Sequence, residues 1–482
     1  MKMSDVGVTV KKAEDFSEWY TQVIVKSGLA DYAPVKGCMI FRELSYAIWE
    51  KIQAIFNEKI KAAGHKNVYF PLFIPESFLK KEAEHFEGFV PQVAWVTVGG
   101  DRPLEEKLAI RPTSETIMYA TYAKWIRSWR DLPLKLNQWN SVVRWETEAT
   151  RLFLRTREFL WQEGHTAHAT KEEADREVME ILGMYKEIIE GYLAIPVIAG
   201  RKSENEKFKG ALYTTTLEAL MPDGKALQMA TSHHLGQNFS KAFEIKFLDK
   251  DEKEKYVWQT SWGFSTRMIG AMVMVHGDDK GLVLPPKIAP IQAVIVPIPY
   301  KEADSEAIFA KARETHEKLK NNGVSTVLDD RTEYTPGWKF NDWELKGVPI
   351  RIEVGPKDLR QKQVTIARRD TFERITAKEE EIVEIVVKLL EEIQKNLFNK
   401  AKKFLDEHIT TVKTYDEFKE VLKSKGGFIR ACWCANSTCE EKIKEETGAT
   451  IRIIPFEKEE KFAKCVYCGE EAKEVAYFAK AY

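Results

Sequence analysis

Residues 138–168 read QWNSVVRWETEATRLFLRTREFLWQEGHTAH, and this stretch predicts two short strands on either side of a charged connection. Alternate residues of a strand face the same side, so the first strand has one face formed by Val142, Arg144 and Glu146. The corresponding face of the returning strand holds Phe159, Trp161, Glu163 and His165. For any single pair of these charges, the alternative to a functional site is a structural hairpin with ion pairs between its strands. The arginine, carboxylates, histidine and aromatic side chains together, if they lie on one surface of the sheet, predict a reaction site.

Length and composition describe a globular protein of several domains. The chain has 482 residues, which is too many for a single hydrophobic core and predicts roughly two to four domains. Hydrophobic residues make up 44% of the chain and charged residues 30%, as in ordinary soluble proteins. Because 73 basic side chains balance 74 acidic ones, no bulk positive field favours non-specific nucleic-acid binding.

The sequence carries no membrane signal. No stretch approaches the roughly 18 consecutive apolar residues that span a bilayer. The first residues, MKMSDVGVTVKK, lack the apolar centre of a signal peptide. We therefore expect a cytoplasmic protein that does not bind membranes.

Three prolines in GLVLPPKIAPIQ, residues 281–292, separate unlike regions and predict a domain boundary near residue 285. The apolar spacing before it predicts helices over 35–64, from 113 or 114 to 126, and 171–193. A strand is expected over 67–75, where Pro71 favours a sheet edge or a subunit contact. After the boundary, strands at 291–298, 324–329 and 349–354 alternate with helices, and a long helix starts at 378. This order predicts a compact α/β module.

The chain lacks both common phosphate-binding loops, GxxxxGK[ST] and a GxGxxG that follows a strand. Instead, Ser265, Thr266 and Arg267 open the apolar helix IGAMVMVHG. An arginine in the first helical turn opposes the helix dipole, and a bound anion between them relieves the conflict. Arg144 and Arg267 are therefore predicted to hold a triphosphate with Mg²⁺. A surface arginine on a neutral cap is the alternative for Arg267 taken alone.

A zinc-hydrolase site competes for part of the same region. Its ligand types are present in Glu163, His165, His168, His233 and His234. His165 and His168 are three residues apart on a strand, so they face opposite sides and cannot share an ion without a bulge. The sequence therefore disfavours a catalytic zinc.

Four strings resemble the prolyl-tRNA synthetases: RPTSE at 111–115, FLRTREFLWQEGHTAH at 153–168, TSHHLGQNFS at 231–240 and GWKF at 337–340. The strand–loop–strand around Arg144, the helix of Arg267, and the long helix followed by a strand near Pro71 are similar to motifs 2, 3 and 1 of class II aminoacyl-tRNA synthetases. The resemblance covers nearly the whole chain. With no editing insertion and a cysteine-bearing C-terminal extension, it points to the archaeal and eukaryotic-type branch.

The resemblance implies ATP-dependent ligation of L-proline to tRNA(Pro) through a prolyl-adenylate, with L-proline, ATP, Mg²⁺ and tRNA(Pro) as ligands. It implies a homodimer through the region 35–75. The implied fold is α+β, with three domains: an antiparallel-sheet catalytic domain (1–285), an α/β anticodon-binding domain (286–398) and a zinc-stabilised α/β domain (399–482). A synthetase-like paralogue that binds tRNA or regulates without ligating is the alternative. The retained Arg144, Glu146 and Arg267 argue against it.

The resemblance also implies residue roles. It makes Arg144 and Arg267 catalytic. The implied ATP-binding residues are Arg144, Glu146, Arg155, Thr156, Phe159, Gln228, Thr231 and Arg267. The implied proline-binding residues are Thr113, Glu115, Arg144, Trp161, Glu163, His165, Thr231, His233 and Ser265. Anticodon recognition falls to Phe340, Glu344, Arg351 and Lys357. For that last set, a packed Phe340 and a structural Glu344–Arg351 ion pair are the alternative.

Five of the six cysteines lie between residues 432 and 468, which in a reducing compartment indicates a metal site rather than disulfides. The pairs Cys434/Cys439 and Cys465/Cys468 suit a closed tetrahedral zinc site with no open position for chemistry. Cys432 lies two residues before Cys434 and is a rival ligand, although the resemblance favours Cys434. Buried free cysteines are the remaining alternative.

Overall fold

The described residues up to 285 are built around a seven-stranded, largely antiparallel sheet. The structure is a computed structural model that describes residues 7–85, 92–145, 150–300 and 302–482. The helices of this part are α1 Phe16–Lys26, α2 Glu43–Ala62, α3 Glu76–His85, α4 Glu115–Trp125, α5 Lys171–Glu187, α6 Asn238–Ala242 and α7 Arg267–His276. The strands are β1 Ala30–Tyr32, β2 Met39–Phe41, β3 Lys66–Asn67, β4 Phe73–Pro75, β5 Trp95–Gly99, β6 Arg102–Ile110, β7 Leu134–Val143, β8 Glu158–His168, β9 Ile198–Arg201, β10 Tyr213–Leu220, β11 Ala226–Gly236, β12 Lys246–Leu248, β13 Glu254–Tyr256 and β14 Trp258–Ser265.

Seven of these strands form the main sheet in the order β3-β7-β8-β14-β11-β10-β9. All neighbours are antiparallel except β3 and β7. In the β7–β8 hairpin Val142 lies opposite Phe159, and Asn140 lies opposite Trp161. Directly opposed residues of an antiparallel pair share a face, so the shared face expected for Val142, Phe159, Trp161, Glu163 and His165 is confirmed. Glu146, expected on the same face, lies outside the described residues. The order also places β14, which leads into α7, beside β8.

The other face of the sheet is covered by α2 and α5. The Trp262 ring lies 6.1 Å from Phe56 of α2 and 6.4 Å from Tyr185 of α5. Beneath Trp262, a Cβ on Gly164 would come within 2.1 Å of the indole, so only glycine allows this packing. Burial of these large aromatic side chains fixes the sheet against the helices and leaves its opposite face for ligands.

Some local expectations were wrong in detail. The helix expected over 35–64 begins at Glu43, because 39–41 pairs as a strand with 30–32. The strand expected over 67–75 is two short strands in different sheets, separated around Pro71, which has no N–H to donate to a ladder. The helix expected to Leu193 ends at Glu187 and continues as a wider π-helical turn, Ile188–Tyr192.

The next part of the chain is the predicted α/β module. Its strands are β15 Ala293–Pro297, β16 Thr326–Leu328, β17 Ile350–Val354, β18 Gln363–Arg368 and β19 Arg374–Lys378. Its helices are α8 Glu302–Asn321, α9 Pro336–Leu345, α10 Pro356–Gln361 and α11 Ile382–Glu407. The sheet order is β16-β15-β17-β18-β19, with the first three strands parallel. The buried side chain of Arg369 binds Asp278 at 2.6 Å and joins the module to the end of α7.

A smaller α/β unit completes the chain. Its elements are α12 Tyr415–Ser424, α13 Ser437–Thr447, β20 Ile409–Thr411, β21 Phe428–Trp433, β22 Thr450–Ile453 and β23 Glu474–Ala479. The four strands form one sheet in the order β20-β21-β23-β22. Helix α11 runs without a break through residue 398, where the second domain boundary was expected. In the described part of the chain, no helix is both long and apolar enough to cross a membrane.

Candidate active site

The face of the sheet that carries the β7–β8 side chains forms the floor of a cavity of about 580 Å³. It brings together most of the residues that the sequence predicted for substrate and ATP binding. Those lining it are Thr113, Glu115, Arg144, Arg155, Phe159, Trp161, Glu163, His165, Gln228, Thr231, His233, Ser265 and Arg267. These residues come from five separate segments of the chain. They lie together because the order of the strands in the sheet brings those segments side by side.

Arg144 stands at one side of the cavity, just beyond the end of β7. Its Nε donates to the carbonyl of Pro112 at 3.3 Å. Its guanidinium lies 5.4 Å from the Phe159 ring and 5.6 Å from the Trp161 ring. These contacts hold the planar guanidinium in place, as recognition of a carboxylate or a phosphate requires.

Arg267 is the first residue of α7, two residues after the end of β14, and lines the cavity. Its Nε and Nη2 donate to the carbonyl of Leu154 at 3.2 and 3.1 Å. The rest of α7 is almost completely buried. A cation is thus fixed at the positive end of a rigid helix, an arrangement that suits a bound anion.

Glu163 is the most heavily hydrogen-bonded side chain of the floor. Its carboxylate accepts bonds from Ser114, from Gln138 Nε2 at 3.2 Å and from Asn140 Nδ2 at 2.8 Å. Asn140 Oδ1 also accepts from the Trp161 indole N–H at 2.6 Å. One amide therefore fixes both an aromatic wall and a carboxylate of the cavity, and the rotamers of both are held.

His165 forms an ion pair with Glu163, with 3.0 Å between Nε2 and the carboxylate, and its Nδ1 contacts the Tyr119 hydroxyl at 3.0 Å. Burial opposes charge on His165, but the hydrogen bond to Glu163 and the nearby charge of Glu115 raise its pKa above the usual value. Despite burial, the same pair lowers the pKa of Glu163. Both shifts have the direction that favours an ion pair, with the proton on the imidazole.

Ligand atoms of Glu115, Glu163 and His165 lie within 4.8 Å of one another, a spacing that a metal ion or another cation would match. The hydroxyl of Thr113 donates to Glu115. Both nitrogens of His165 already have hydrogen-bond partners. The group is therefore arranged to receive a small cation with hydrogen-bond donors of its own.

The histidines of the zinc-hydrolase alternative do not all face one site, since His165 and His233 line the cavity whereas His168 and His234 point away from it. His233 lines the cavity between the hydroxyls of Thr214 and Thr231, at 2.9 and 3.1 Å, and burial lowers its pKa to about 3. His168 bonds Thr166 on the opposite face of the sheet. His234 likewise points away and lies 3.5 Å from Asp175 of α5. The alternation argument is confirmed for His165 and His168, which lie on opposite faces of the sheet.

One predicted ATP-site residue stands apart from this cavity, and another lies outside the described residues. The hydroxyl of Thr156 donates to the carbonyl of Glu158 at 2.6 Å, and the residue does not line the cavity. Glu146 lies outside the described residues. In turn, the sequence analysis missed several residues that line or support the cavity: Gln92, Ser114, Tyr119, Gln138, Asn140, Glu206, Phe208 and Thr214. Gln138 and Asn140 lie four and two residues before Val142 on β7 and so face the same side of the sheet. The alternation of side chains along the strand could therefore have predicted them.

Three of the four predicted anticodon residues, Phe340, Glu344 and Arg351, meet on α9 and β17. Arg351 Nη1 donates to Glu344 at 2.8 Å, and the guanidinium lies 4.0 Å from the Phe340 ring. A cavity of about 210 Å³ beside them is lined by Trp343, Glu344, Val348, Arg351, Ala367, Arg368, Arg369, Phe372 and Arg374. Lys357 is exposed on α10 and does not line this cavity. The ion pair and the partly packed Phe340 match the structural alternative as well as a base-reading site.

The four predicted cysteines of the C-terminal unit form a cluster. The Sγ atoms of Cys434, Cys439, Cys465 and Cys468 lie within 4.8 Å of one another, so they could bind a metal ion together. Four thiolates in two close pairs suit a closed tetrahedral site. Cys432 is buried elsewhere, among Phe462, Ala472 and Val475. The cluster therefore contains Cys434 and not Cys432.

Three family models match successive parts of the chain. The tRNA synthetase class II core domain (G, H, P, S and T) matches residues 95–276, an anticodon binding domain matches 292–389, and the prolyl-tRNA synthetase C-terminal domain matches 415–482. Together they follow the three structural parts described above.

Whole-chain relatives agree. The proline–tRNA ligase of Natranaerobius thermophilus is 54% identical over 474 residues, which is 98% of this chain and 97% of the relative. That of Alkaliphilus oremlandii is 56% identical and covers 97% and 96%. The solved prolyl-tRNA synthetase of Cryptosporidium parvum, complexed with halofuginone and AMPPNP, is 49% identical with a TM-score of 0.95, covering 99% of this chain and 100% of that one. The chain belongs to the prolyl-tRNA synthetase family of class II aminoacyl-tRNA synthetases.

Proposed function

We propose that this protein is a proline–tRNA ligase that joins L-proline to tRNA(Pro) through a prolyl-adenylate. The observation that carries the proposal is the cavity in which Arg144 and Arg267 face a buried carboxylate–imidazole group. Two fixed guanidinium groups suit a nucleotide triphosphate, and the carboxylates suit an amino-acid cation. The family and the names of its relatives support the same activity.

The proline pocket is assigned to the acidic end of the cavity. Charges of Glu163 and His165 cancel, so the carboxylate of Glu115 supplies the net negative charge that matches the imino cation. Thr113 orients Glu115 through its hydroxyl. Trp161, His233, Thr231 and Ser265 surround the ring. His233 stays neutral at physiological pH and so adds no repulsion.

ATP is assigned to the arginine-lined side. Arg144 would hold the α-phosphate and the proline carboxylate together, while Arg267 would hold the γ-phosphate. Phe159 offers a ring face to adenine, and Arg155, Gln228 and Thr231 complete the site. Thr156 and Glu146 belong to this assignment by resemblance alone. Mg²⁺ enters with ATP and neutralises charge on its phosphates.

The proposed reaction depends on positioning. A proline carboxylate oxygen bonds to the α-phosphorus while the bond to pyrophosphate breaks. The terminal 3′-hydroxyl of tRNA then bonds to the activated carbonyl carbon, AMP leaves, and the hydroxyl proton is released. The Arg144 fork aligns the carboxylate with phosphorus and stabilises the added charge of the transition state. No general acid or base is required in the first step.

Residues 286–398 are assigned to the anticodon. Proline codons begin with CC, so two anticodon letters are guanine, whose edge offers donors to a carboxylate and acceptors to an arginine. Glu344 and Arg351 supply these groups beside an arginine-lined cavity. Phe340 is assigned to stacking and the exposed Lys357 to phosphate charge.

The remaining assignments concern metal, assembly and location. Cys434, Cys439, Cys465 and Cys468 would hold a structural Zn²⁺, which would stabilise residues 399–482 without taking part in chemistry. Residues 35–75 are the region expected to pair subunits. Exposed apolar side chains at and next to this region support a homodimer. These side chains are Tyr32, Val35, Ile40, Tyr46, Tyr69 and Phe73. The proposed location is the cytoplasm.

Proline-dependent exchange between ATP and labelled pyrophosphate tests the proposal. We expect label to enter ATP only when L-proline is present, and aminoacylation to require tRNA(Pro). A folded protein that binds tRNA(Pro) but never exchanges pyrophosphate would instead be the non-ligating paralogue. Exchange driven equally by other amino acids would contradict the assignment of the pocket.

A further inference from the structure

One wall of the active-site cavity comes from a segment without helix or strand, residues 202–210, which we call the wall segment. Its Glu206 and Phe208 line the cavity. The Phe208 ring lies 4.8 Å from the imidazole of His233, and the Phe208 N–H donates to Thr214 Oγ1 at 3.0 Å. The wall segment therefore touches a side chain of the proposed proline pocket. Because it has no ladder or helix of its own, its position depends on contacts made elsewhere.

The wall segment contacts Thr214, His233 and Phe239 of the catalytic part, and Asn238 Nδ2 donates to its Gly210 carbonyl at 2.9 Å. Further contacts come from the C-terminal unit. The buried hydroxyl of Ser203 donates to Glu440 Oε1 of α13 at 2.5 Å, and Glu440 is itself only 4% exposed. Ser203 Oγ also accepts the backbone N–H of Glu206 at 3.3 Å. One turn further along α13, Lys444 lies 3.3 Å from the Glu206 carboxylate. A single helix of another unit thus holds the wall segment at two points.

The junction beside the wall segment is rigid. Arg201 and Ile454 exchange two backbone hydrogen bonds of 2.8 Å, which join β9 to the C-terminal unit. A Cβ on Gly200 would lie 2.4 Å from Ile453 Cγ2 and 2.6 Å from the Ile454 carbonyl, so the close approach requires glycine. Next to it, Glu218 is buried between Lys202 at 2.6 Å and Arg452 at 3.0 Å. With its start fixed in this way, the wall segment is held further along by α13 and, towards its end, by Phe239 and Asn238.

Helix α13 begins at the cysteine cluster. Cys439, one of its four members, immediately precedes Glu440 in the first turn of the helix. A metal held by the cluster would fix that turn and with it the Glu440 carboxylate. We propose that Glu440 is a positioning residue for the proline pocket: it holds Ser203 and the wall segment, so that the cysteine cluster helps to shape the active-site cavity. That the cavity binds proline rests on the function proposed above. The mechanical link, by which Glu440 and Ser203 connect the cysteine cluster to the wall segment, does not depend on that function.

The first test separates binding from turnover in the full-length, metal-containing protein. Glu440→Ala should raise KM for proline in pyrophosphate exchange by roughly fivefold to tenfold, because a buried hydrogen bond to a charged group is lost. Its kcat should stay within about twofold of the unchanged protein, since Arg144 and Arg267 are untouched. Glu440→Gln should restore KM, because its amide oxygen can still accept from Ser203. Glu441→Ala, on the exposed side of the same helix, is the matched control.

The second test does not depend on activity. Hydrogen exchange of the amides of residues 204–208 should become at least about tenfold faster in Glu440→Ala and in Cys468→Ser, while amides of β8 keep their protection. Unchanged exchange of the wall segment in a folded Glu440→Ala protein would overturn the proposal. So would an equal change in Glu441→Ala. Faster exchange in a protein without proline-dependent activity would keep the mechanical link and reject only the proposed function.

Discussion

Replacing Arg144 by lysine is the sharpest test of the catalytic assignment, because it keeps the positive charge and removes the planar guanidinium group that can hold two oxygen atoms at once. In the structure the guanidinium is anchored through Nε to Pro112 at 3.3 Å and lies over Phe159 and Trp161. A lysine ammonium is a single point charge and cannot hold Pro112 and align a carboxylate with a phosphate at the same time. The change therefore removes a preorganised transition-state donor while the pocket stays charged.

The size of the effect follows from that loss. Removing one preorganised donor to a transition state costs about 2.7 to 4 kcal/mol, so proline-dependent exchange should fall by roughly two to three orders of magnitude. Loss of contacts over two aromatic rings adds at most about 1 kcal/mol each. Because the contact strengthens in the transition state, kcat and kcat/KM should fall together.

Initial rates of pyrophosphate exchange over a range of proline and ATP concentrations provide the assay. Arg157→Lys is the matched control: Arg157 lies in the same hairpin, donates to the Lys36 carbonyl at 2.9 Å and does not line the cavity. It should leave kcat within a few-fold of the parent. Exchange by Arg144→Lys within tenfold of the parent, in a folded protein, would remove Arg144 from the mechanism.

Three further predictions follow the same reasoning. Purified protein should carry one zinc per chain, which Cys468→Ser should lose and Cys432→Ser should keep, as metal analysis would show; two zinc ions per chain would contradict the single Cys434–Cys439–Cys465–Cys468 site. Glu344→Gln and Arg351→Ala should each weaken aminoacylation of tRNA(Pro) by about 1 to 3 kcal/mol and leave pyrophosphate exchange unaltered; equal losses in both assays would favour the structural ion pair. Burial lowers the pKa of His168 and His276 to about 4, so the folded protein binds fewer protons than the unfolded chain below about pH 6.5, and stability present above that pH is lost on acidification. The melting temperature should therefore fall between pH 7 and 5 by less in His276→Gln than in the parent, and equal falls would exclude His276 as a source of the slope.

Local sequence patterns determined much of the site. Alternation in residues 138–168 placed Phe159, Trp161, Glu163 and His165 on one face before any tertiary information, because the side-chain period of a strand is fixed by its backbone. The small-residue run after Arg267 predicted a buried helix whose first residue faces an anion. The spacing of the cysteines predicted the cluster, since two close pairs can close around one ion wherever the connecting loop lies.

Tertiary packing decided the rest. The partners of Glu163 come from three places in the sequence, and no local period predicts that Asn140 ties it to Trp161. Strand register and sheet order arise from long-range burial, which a local pattern does not encode. The same reason explains why α11 continues past residue 398. The contact between Ser203 and Glu440 joins residues 237 positions apart, so only the folded chain reveals that the C-terminal unit holds a wall of the cavity.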